Sequence, residues 1–121
     1  MILTLDSESH LIARAYLAFV KSGPGYLYGL ARDAFSTGML SAGTEPNLRR
    51  ELARTDVVLD GPEVELTFVS RGRDDPEPRA RHLADALAAS LSLPVEAVYL
   101  AAIRVGLRII FPAHLMPKET P

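Results

Sequence analysis

The stretch that most constrains the fold of this chain covers residues 83–107, LADALAASLSLPVEAVYLAAIRVGL. Leucine and alanine recur at helical spacing in its first half, which predicts an amphipathic helix. Ser92-Leu93-Pro94 interrupts the pattern and predicts a tight turn. The second half is apolar on nearly every side up to about Ile109, and such a helix needs other elements to cover it. We therefore expect the rest of the chain to pack around this second helix.

The composition is that of an ordinary globular protein. Apolar residues make up 48% of the 121 residues and charged residues 23%, so the low hydrophobicity and high charge of a disordered chain are absent. We expect one globular domain over residues 1–115 and a C-terminal tail over residues 116–121. The sequence has no cysteine, which excludes disulfides and thiolate metal sites and suits a cytoplasmic protein.

Charge and hydropathy also bear on the partners. The formal net charge is −2, whereas a protein that binds nucleic acid without sequence preference is usually clearly basic. The N-terminal residues lack the basic and apolar regions of a signal peptide. The longest apolar run, residues 95–111, contains Arg104 and Arg108 and is too short to predict a membrane span. We therefore expect no membrane partner.

The N-terminal part predicts a strand and two helices. Residues 2–5 form the strand, and Asp6 or Ser7 caps the first helix. Apolar residues in that helix form one wide stripe of two adjacent rows: Leu11, Ala15 and Phe19, and Ile12, Tyr16 and Val20. Gly23-Pro24-Gly25 ends the helix. The second helix is predicted over residues 26–39, with an inward face made of Leu27, Leu30, Ala31, Ala34 and Phe35.

Two features at the start of the second helix each have two interpretations. Gly29 lies inside the helix, where glycine costs roughly 1 kcal/mol relative to alanine. It serves either close helix packing, which we favour, or the close approach of a ligand. Tyr26 and Tyr28 flank the helix start. They either pack within the protein or at an interface, which we favour, or stack on a ligand.

The middle of the chain predicts a short helix and a hairpin. Residues 47–54 form a polar helix that exposes Arg49, Arg50 and Arg54. Residues 57–69 read as a β-hairpin, because apolar and polar residues alternate after the turn signal Asp60-Gly61. Residues 70–78 form a charged loop that contains two prolines.

The two ends of the chain follow one plan: strand, helix, short turn, helix. An alignment of Gly38 with Gly106, continued backwards without a gap, pairs Phe19 with Leu87. The strands then fit with about four to six residues inserted in the charged loop. The near-repeat is either a structural duplication or a coincidence between two amphipathic helix pairs. We predict an α+β fold with a βαα plan at both ends, a central short helix and a β-hairpin.

The segment LADALAASLSLPVEAVYLAAIRVGLR resembles the two-helix portion of ribbon–helix–helix DNA-binding proteins. The resemblance is carried by Leu83 and Leu87, by the turn Ser92-Leu93-Pro94, and by the run of residues 101–107. The N-terminal ILTLDSES, followed by helix, Gly-Pro-Gly and helix, is similar in outline. In that family one strand from each of two subunits pairs into an antiparallel ribbon that enters the major groove. If the duplication holds, one chain would form the equivalent of a family dimer.

The resemblance also implies a set of DNA contacts. Thr4 would point into the groove from the first copy, and Glu65 and Thr67 from the second. The backbone at Gly25-Tyr26 and at Pro94-Val95 would contact phosphates, since helix N-termini bind anions.

The same residues also fit a helix-turn-helix, in which the last helix would enter the groove. A recognition helix presents polar residues, whereas this helix presents apolar ones. We therefore favour the ribbon-type or a purely structural interpretation. We expect the last helix to form the core or an interface through Val95, Tyr99, Ile103 and Leu107.

No motif points to catalysis. His10, His82 and His114 show no metal-binding spacing, and the chain has no phosphate loop, dinucleotide-binding motif or nucleophile elbow. We predict no metal, no cofactor and no catalytic residue. An enzyme built from His10 or His82 with neighbouring carboxylates is the alternative. The residues around Asp74-Asp75 form either a solvated charged loop, which we favour, or a phosphoryl site.

Two functions fit these patterns. The first is a small DNA-binding transcriptional regulator, whose contacts beyond the ribbon and helix starts would be Arg49, Arg50, Arg71 and Arg73. The second is a non-catalytic protein-interaction module, such as an inhibitor, an immunity-type protein or an accessory subunit. It is motivated by the nine acidic against six basic residues in residues 1–70, and by the unusually apolar last helix. Its partner would be another protein or a second copy of the chain.

Overall fold

The computed structural model of the protein describes residues 1–41, 43–66 and 76–116. The expectations for Thr67, Arg71, Arg73, the Asp74-Asp75 pair and residues 117–121 lie outside the described residues. In chain order the elements are β1 (Ile2–Thr4), α1 (Ser7–Phe19), a 3-10 turn (Pro24–Tyr26), α2 (Leu27–Leu40), α3 (Glu45–Ala53), β2 (Glu63–Glu65), α4 (Glu77–Leu91), α5 (Val95–Ile110) and a second 3-10 turn (Ala113–Leu115).

The predicted α+β class, with a βαα plan at both ends and a β-hairpin, is wrong. Helices account for 69% of the described residues, and the two strands contribute three residues each. Strands this short cannot form a sheet layer with a core of its own. The protein is therefore a helix-rich domain in which a small ribbon lies against packed helices.

The hairpin prediction fails because β2 pairs with β1 and not with residues 57–59. The backbone N–H of Gly61 donates to the Leu5 carbonyl at 2.7 Å, so residues 57–62 run along the chain that follows β1. A Cβ at Gly61 would lie 2.6 Å from that same carbonyl oxygen, so this close approach needs glycine. The alternating pattern correctly identified the buried face of β2, but alternation does not specify which strand is the partner.

The ribbon is an antiparallel pair in which Leu3 lies opposite Val64. Both of these side chains are buried against the helices. Leu5 and Leu66, at the two ends of the ladder, are also buried, at 1% exposure each. The opposite face of the ribbon points away from the core and carries Ile2, Thr4, Glu63 and Glu65.

Helix α5 lies at the centre of the fold. All ten of its residues from 98 to 107 are buried, and α5 contacts α1, α2, α3 and α4. Its closest neighbour is α2, which it crosses at two glycines. A Cβ at Gly38 would overlap the carbonyl of Ala102, so the two backbones touch without a side chain between them.

Helices α1 and α4 end in equivalent turns. Lys21 and Ser92 adopt the left-handed conformation, with φ values of 58° and 55°. The residue that follows each donates its N–H back into the helix: Ser22 to the Leu17 carbonyl, and Leu93 to the Ala88 carbonyl. Lys21 and Ser92 are 71 residues apart in the sequence, whereas Gly38 and Gly106 are 68 residues apart. The gapless pairing of Phe19 with Leu87 is therefore wrong by three residues, which the 3-10 turn Pro24–Tyr26 accounts for.

Candidate functional site

Helix α1 buries only part of its apolar stripe. Its buried residues are Ser9, Ala13 and Leu17. Leu11 and Phe19, which the sequence places on the stripe, are 52% and 63% exposed. The inward face is thus rotated from the predicted one, because helical spacing alone does not tell which part of a wide stripe finds a partner. The last turn of α1 consequently presents apolar side chains at the surface.

Next to the end of α1 lies a groove of about 430 Å3, which we call the aromatic groove. It lies between the end of α1, the first 3-10 turn, the start of α2 and the end of α5. Its walls are formed by Tyr16, Val20, Tyr26, Tyr28, Asp33 and Ile110. Its floor includes the buried side chains of Leu17 and Leu30.

The three tyrosines of the groove are available to a ligand. Tyr26 is 66% exposed and Tyr28 is 60% exposed, so neither packs in the core, as one interpretation of the sequence had it. Tyr16 is half-buried. The hydroxyls of all three form no hydrogen bond with the part of the chain that the structure describes. An interface and ligand contact are therefore the two interpretations that survive for Tyr26 and Tyr28.

Gly29 belongs to the floor of the groove and not to a helix contact. A Cβ at this position would meet no atom within 4 Å, so the favoured interpretation, close helix packing, is wrong. Gly38, in the same helix, is the glycine that packing requires. Sequence alone could not separate the two, because both lie inside a helix beside apolar residues.

Phe111 holds the groove wall in place. It is 2% exposed and contacts Tyr16 edge-on, with ring centroids 5.7 Å apart and an interplanar angle of 69°. Phe19 also packs on this ring, at a centroid distance of 5.4 Å. Aromatic pairs in such geometries contribute about 0.5–1.5 kcal/mol beyond the area they bury. The end of α1 is thereby fixed against the end of α5.

The predicted nucleic-acid contacts that the structure describes lie on five different elements: β1, the first 3-10 turn, α3, β2 and the start of α5. Thr4 is half-buried in β1, opposite Glu63. Arg49 and Arg50 are exposed on α3, and Arg49 pairs with Glu45 at 3.0 Å. Gly25 and Tyr26 belong to the first 3-10 turn and are exposed. Of this set only Tyr26 lines the aromatic groove.

The predicted interface residues of α5 face the protein's own helices. Tyr99, Ile103 and Leu107 are 1–2% exposed, and Val95 is half-buried. Phe35 of α2 stacks on Tyr99 with ring centroids 4.4 Å apart. Burial raises the pKa of the Tyr99 hydroxyl, which donates to Asp85 at 3.4 Å. These side chains are therefore packed against other helices of the same protein and are not available to a partner.

A buried ion cluster joins α3 to α5 and α1. Glu51 is 6% exposed and accepts from Arg104 at 2.9 Å, and it also pairs with Arg108 and Arg54. Arg54 and Arg108 in turn reach Glu8 of α1. Burial by itself would raise the pKa of Glu51, but hydrogen bonds and charges from Arg104 and Arg108 outweigh it and lower the pKa from the ordinary 4.5. The cations of this cluster already have carboxylate partners, so we interpret the cluster as a structural contact that holds α3 against α5 and α1.

Two kinds of feature are absent from the described residues: a cluster of metal-ligating side chains and a helix able to cross a membrane. No group of three or more histidine, aspartate or glutamate side chains within ranges 1–41, 43–66 and 76–116 is placed to hold a metal ion. None of the helices in these ranges combines the length and the apolar character that a bilayer-spanning segment needs.

Comparison of the chain with protein-family models, with curated proteins and with solved structures finds no match.

Proposed function

We propose that the chain is a protein-interaction module of the inhibitor or accessory-subunit type, and that the aromatic groove is its binding surface. The observation that carries the proposal is the exposure of Tyr26 and Tyr28 on the groove wall, with the exposed Phe19 nearby through the Phe111 ring that it shares with Tyr16. Contiguous exposed apolar patches mark binding sites in monomeric proteins, and tyrosine is enriched at interface hot spots.

Burial of the exposed aromatic area would contribute to binding by an amount comparable to the cost of association. An aromatic side chain has about 150–250 Å2 of surface, so three of them that are about two-thirds exposed leave roughly 300–450 Å2 in water. Burial of that area is worth roughly 7–11 kcal/mol at about 25 cal/mol per Å2. Association itself costs an estimated 4–15 kcal/mol. Because the two ranges overlap, burial of the aromatic area does not by itself ensure stable association, and polar contacts with the partner would strengthen it.

The proposal is tested by affinity capture from lysate of the source organism with matched variants as bait. Tyr28→Glu places a charge on the groove wall, and an acidic residue is tolerated in the first turn of a helix. Leu11→Glu is the control, since Leu11 is similarly exposed on α1 but does not line the groove. We expect wild type and Leu11→Glu to retain the same partner and Tyr28→Glu to lose it. Equal capture by all three baits would refute the role of the groove.

A second candidate function is a DNA-binding transcriptional regulator of the ribbon–helix–helix type. It is favoured by the antiparallel pairing of β1 with β2, which is the arrangement that the resemblance implies. The outward face of this ribbon carries Glu63 and Glu65, which repel phosphates. The test is a fluorescence-anisotropy titration against random duplex DNA at low salt. Non-specific binding by phosphate contacts has a dissociation constant of about 1–100 μM, so a flat titration through that range would exclude this function.

A further inference from the structure

The chemistry of the aromatic groove also indicates the kind of partner. Taking the proposed interaction function as given, we propose that the groove binds an extended, proline-rich protein segment that carries an arginine or lysine. Three features carry the inference: the tyrosine hydroxyls on the walls, the carboxylate of Asp33, and the open floor at Gly29.

The tyrosine hydroxyls favour a ligand with free hydrogen-bond acceptors. Tyr16, Tyr26 and Tyr28 form no hydrogen bond with the described residues, so each can donate to a partner. A helix engages its own carbonyls internally, and only its last turn has any to spare. A polyproline II segment has no internal hydrogen bonds and presents every carbonyl outward. Aromatic-lined grooves are the surfaces that recognise this conformation, which is ordered before binding and so loses little entropy.

The carboxylate of Asp33 favours a ligand that carries a cation. It is exposed on α2, lines the groove and forms no ion pair within the ranges the structure describes. The neighbouring Arg32 does not neutralise it, because Arg32 pairs with the buried Glu77 at 3.0 Å. Lys21 is near the groove in sequence but does not line it. An arginine or lysine of the ligand would pair with Asp33 and also contact a tyrosine ring face.

Gly29 keeps the groove open. Because a Cβ there would meet no atom within 4 Å, the space above the floor is free for a ligand side chain. The buried Leu17 and Leu30 beside it provide an apolar surface for a proline ring. Gly29→Leu fills this space from a half-buried helix position where an added Cβ meets no atom within 4 Å, so it is expected to block the groove and leave the helix packing intact.

The experiment is a fluorescence-anisotropy titration of the full chain with three labelled peptides. The first is proline-rich with one arginine, the second replaces that arginine by glutamate, and the third is a helix-forming alanine–leucine peptide with one arginine. We expect saturable binding of the first peptide, weaker binding of the second and none of the third. Gly29→Leu should weaken binding of the first peptide at least tenfold. Tyr28→Phe, which removes one donor, should weaken it roughly threefold to tenfold.

The charge contact is isolated with Asp33→Asn. This variant should bind the arginine peptide about threefold to fivefold more weakly and should reduce the preference for arginine over glutamate. Glu96→Gln, which removes an exposed carboxylate outside the groove, is the control and should change neither affinity. Thermal melts of all variants verify folding. Equal affinity for the arginine and glutamate peptides, or binding of the helical peptide as tight as that of the proline-rich one, overturns the proposal.

Two further measurements separate this proposal from the function on which it rests. A dimer in size-exclusion chromatography with light scattering that dissociates in Tyr28→Glu would assign the groove to a second copy of the chain and overturn the peptide chemistry. If no peptide binds while a lysate protein is captured in a Tyr28-dependent way, the ligand class is wrong and the interaction function stands. If neither binds, both proposals fail.

Discussion

Gly38 of α2 lies directly against the backbone carbonyl of Ala102 in α5. The contact has a counterpart, because Gly106 of α5 lies in the same way against the carbonyl of Ala34 in α2. The two glycines are 68 positions apart, and so are the two alanines. The crossing of the two central helices is therefore approximately two-fold symmetric, and glycine at both positions determines how closely the backbones approach.

Gly38→Ala and Gly106→Ala should each destabilise the protein. The added methyl group overlaps a carbonyl of the facing helix, so the two helices must move apart and repack. Overpacking of this kind costs typically about 1–3 kcal/mol. The free energy of unfolding from urea titrations measures the effect. Gly23→Ala is the control, since a Cβ at Gly23 meets no atom within 4 Å; a loss as large as that of Gly38→Ala would contradict this account.

The helices could be predicted from the sequence because their signals are local. Periodic apolar residues, the Asp6 cap that accepts from the Ser9 N–H at 3.0 Å, and the turns at Gly23-Pro24-Gly25 and Ser92-Leu93-Pro94 all lie within one or two helical turns. The strand partner could not be predicted in this way. β2 pairs with residues about sixty positions away, and the alternation in its sequence is equally compatible with a hairpin.

The candidate site was predicted only in part. Tyr26 was expected to contact DNA, and stacking of Tyr26 and Tyr28 on a ligand was the less favoured interpretation, whereas the other expected contacts do not line the groove. The signal was the concentration of aromatic residues around the first turn, with Phe19 before it and Tyr26 and Tyr28 after it. Whether such residues are buried depends on how many helices are left to cover them, and that is a tertiary property.

Gly29→Ala should stabilise the protein. The position is helical and open, so alanine removes the entropic cost of glycine without a clash. The expected gain is about 0.5–1 kcal/mol, seen as a higher urea midpoint at unchanged slope. Gly29→Ala therefore has the opposite sign to Gly38→Ala in the same helix. A loss of stability would show that Gly29 has a packing role after all.

Glu51→Ala should be among the most destabilising substitutions of a charged residue in this chain. It leaves Arg104, which is 6% exposed, without its carboxylate, and it also removes a partner from Arg54 and Arg108. Breaking a buried ion pair from one side costs about 3–5 kcal/mol. Glu45→Ala breaks an exposed pair on the same helix and should cost less than about 1 kcal/mol. Equal losses, measured by chemical denaturation, would show that the cluster adds no more than a surface pair.

The same cluster predicts how stability depends on pH. The pKa of Glu51 is lowered in the folded state relative to its ordinary 4.5, so the folded state binds the proton less readily than the unfolded state. The stabilisation is therefore fully present above about pH 4.5 to 5 and is lost as the pH falls through the lowered folded-state pKa. We expect the difference in unfolding free energy between wild type and Glu51→Ala to shrink below pH 4.5. A difference that is constant down to pH 3 would contradict the assignment.

Substitutions on the ribbon test its electrostatics directly. Glu63 and Glu65 point away from the core, so Glu63→Gln combined with Glu65→Gln changes the outward charge and leaves the buried face of the strands intact. A unit charge about 4 Å from a phosphate in water contributes about 1 kcal/mol, so two such charges contribute about 2 kcal/mol. If the ribbon faces DNA, the double variant should therefore bind random duplex DNA up to about thirtyfold more tightly than wild type at low salt. The gain should disappear as salt is raised. Asp85→Asn, at an exposed position of α4 outside the predicted DNA contacts, serves as the control for net charge. If the control gains as much affinity as the ribbon variant, the effect belongs to the overall charge, and the ribbon does not face the DNA.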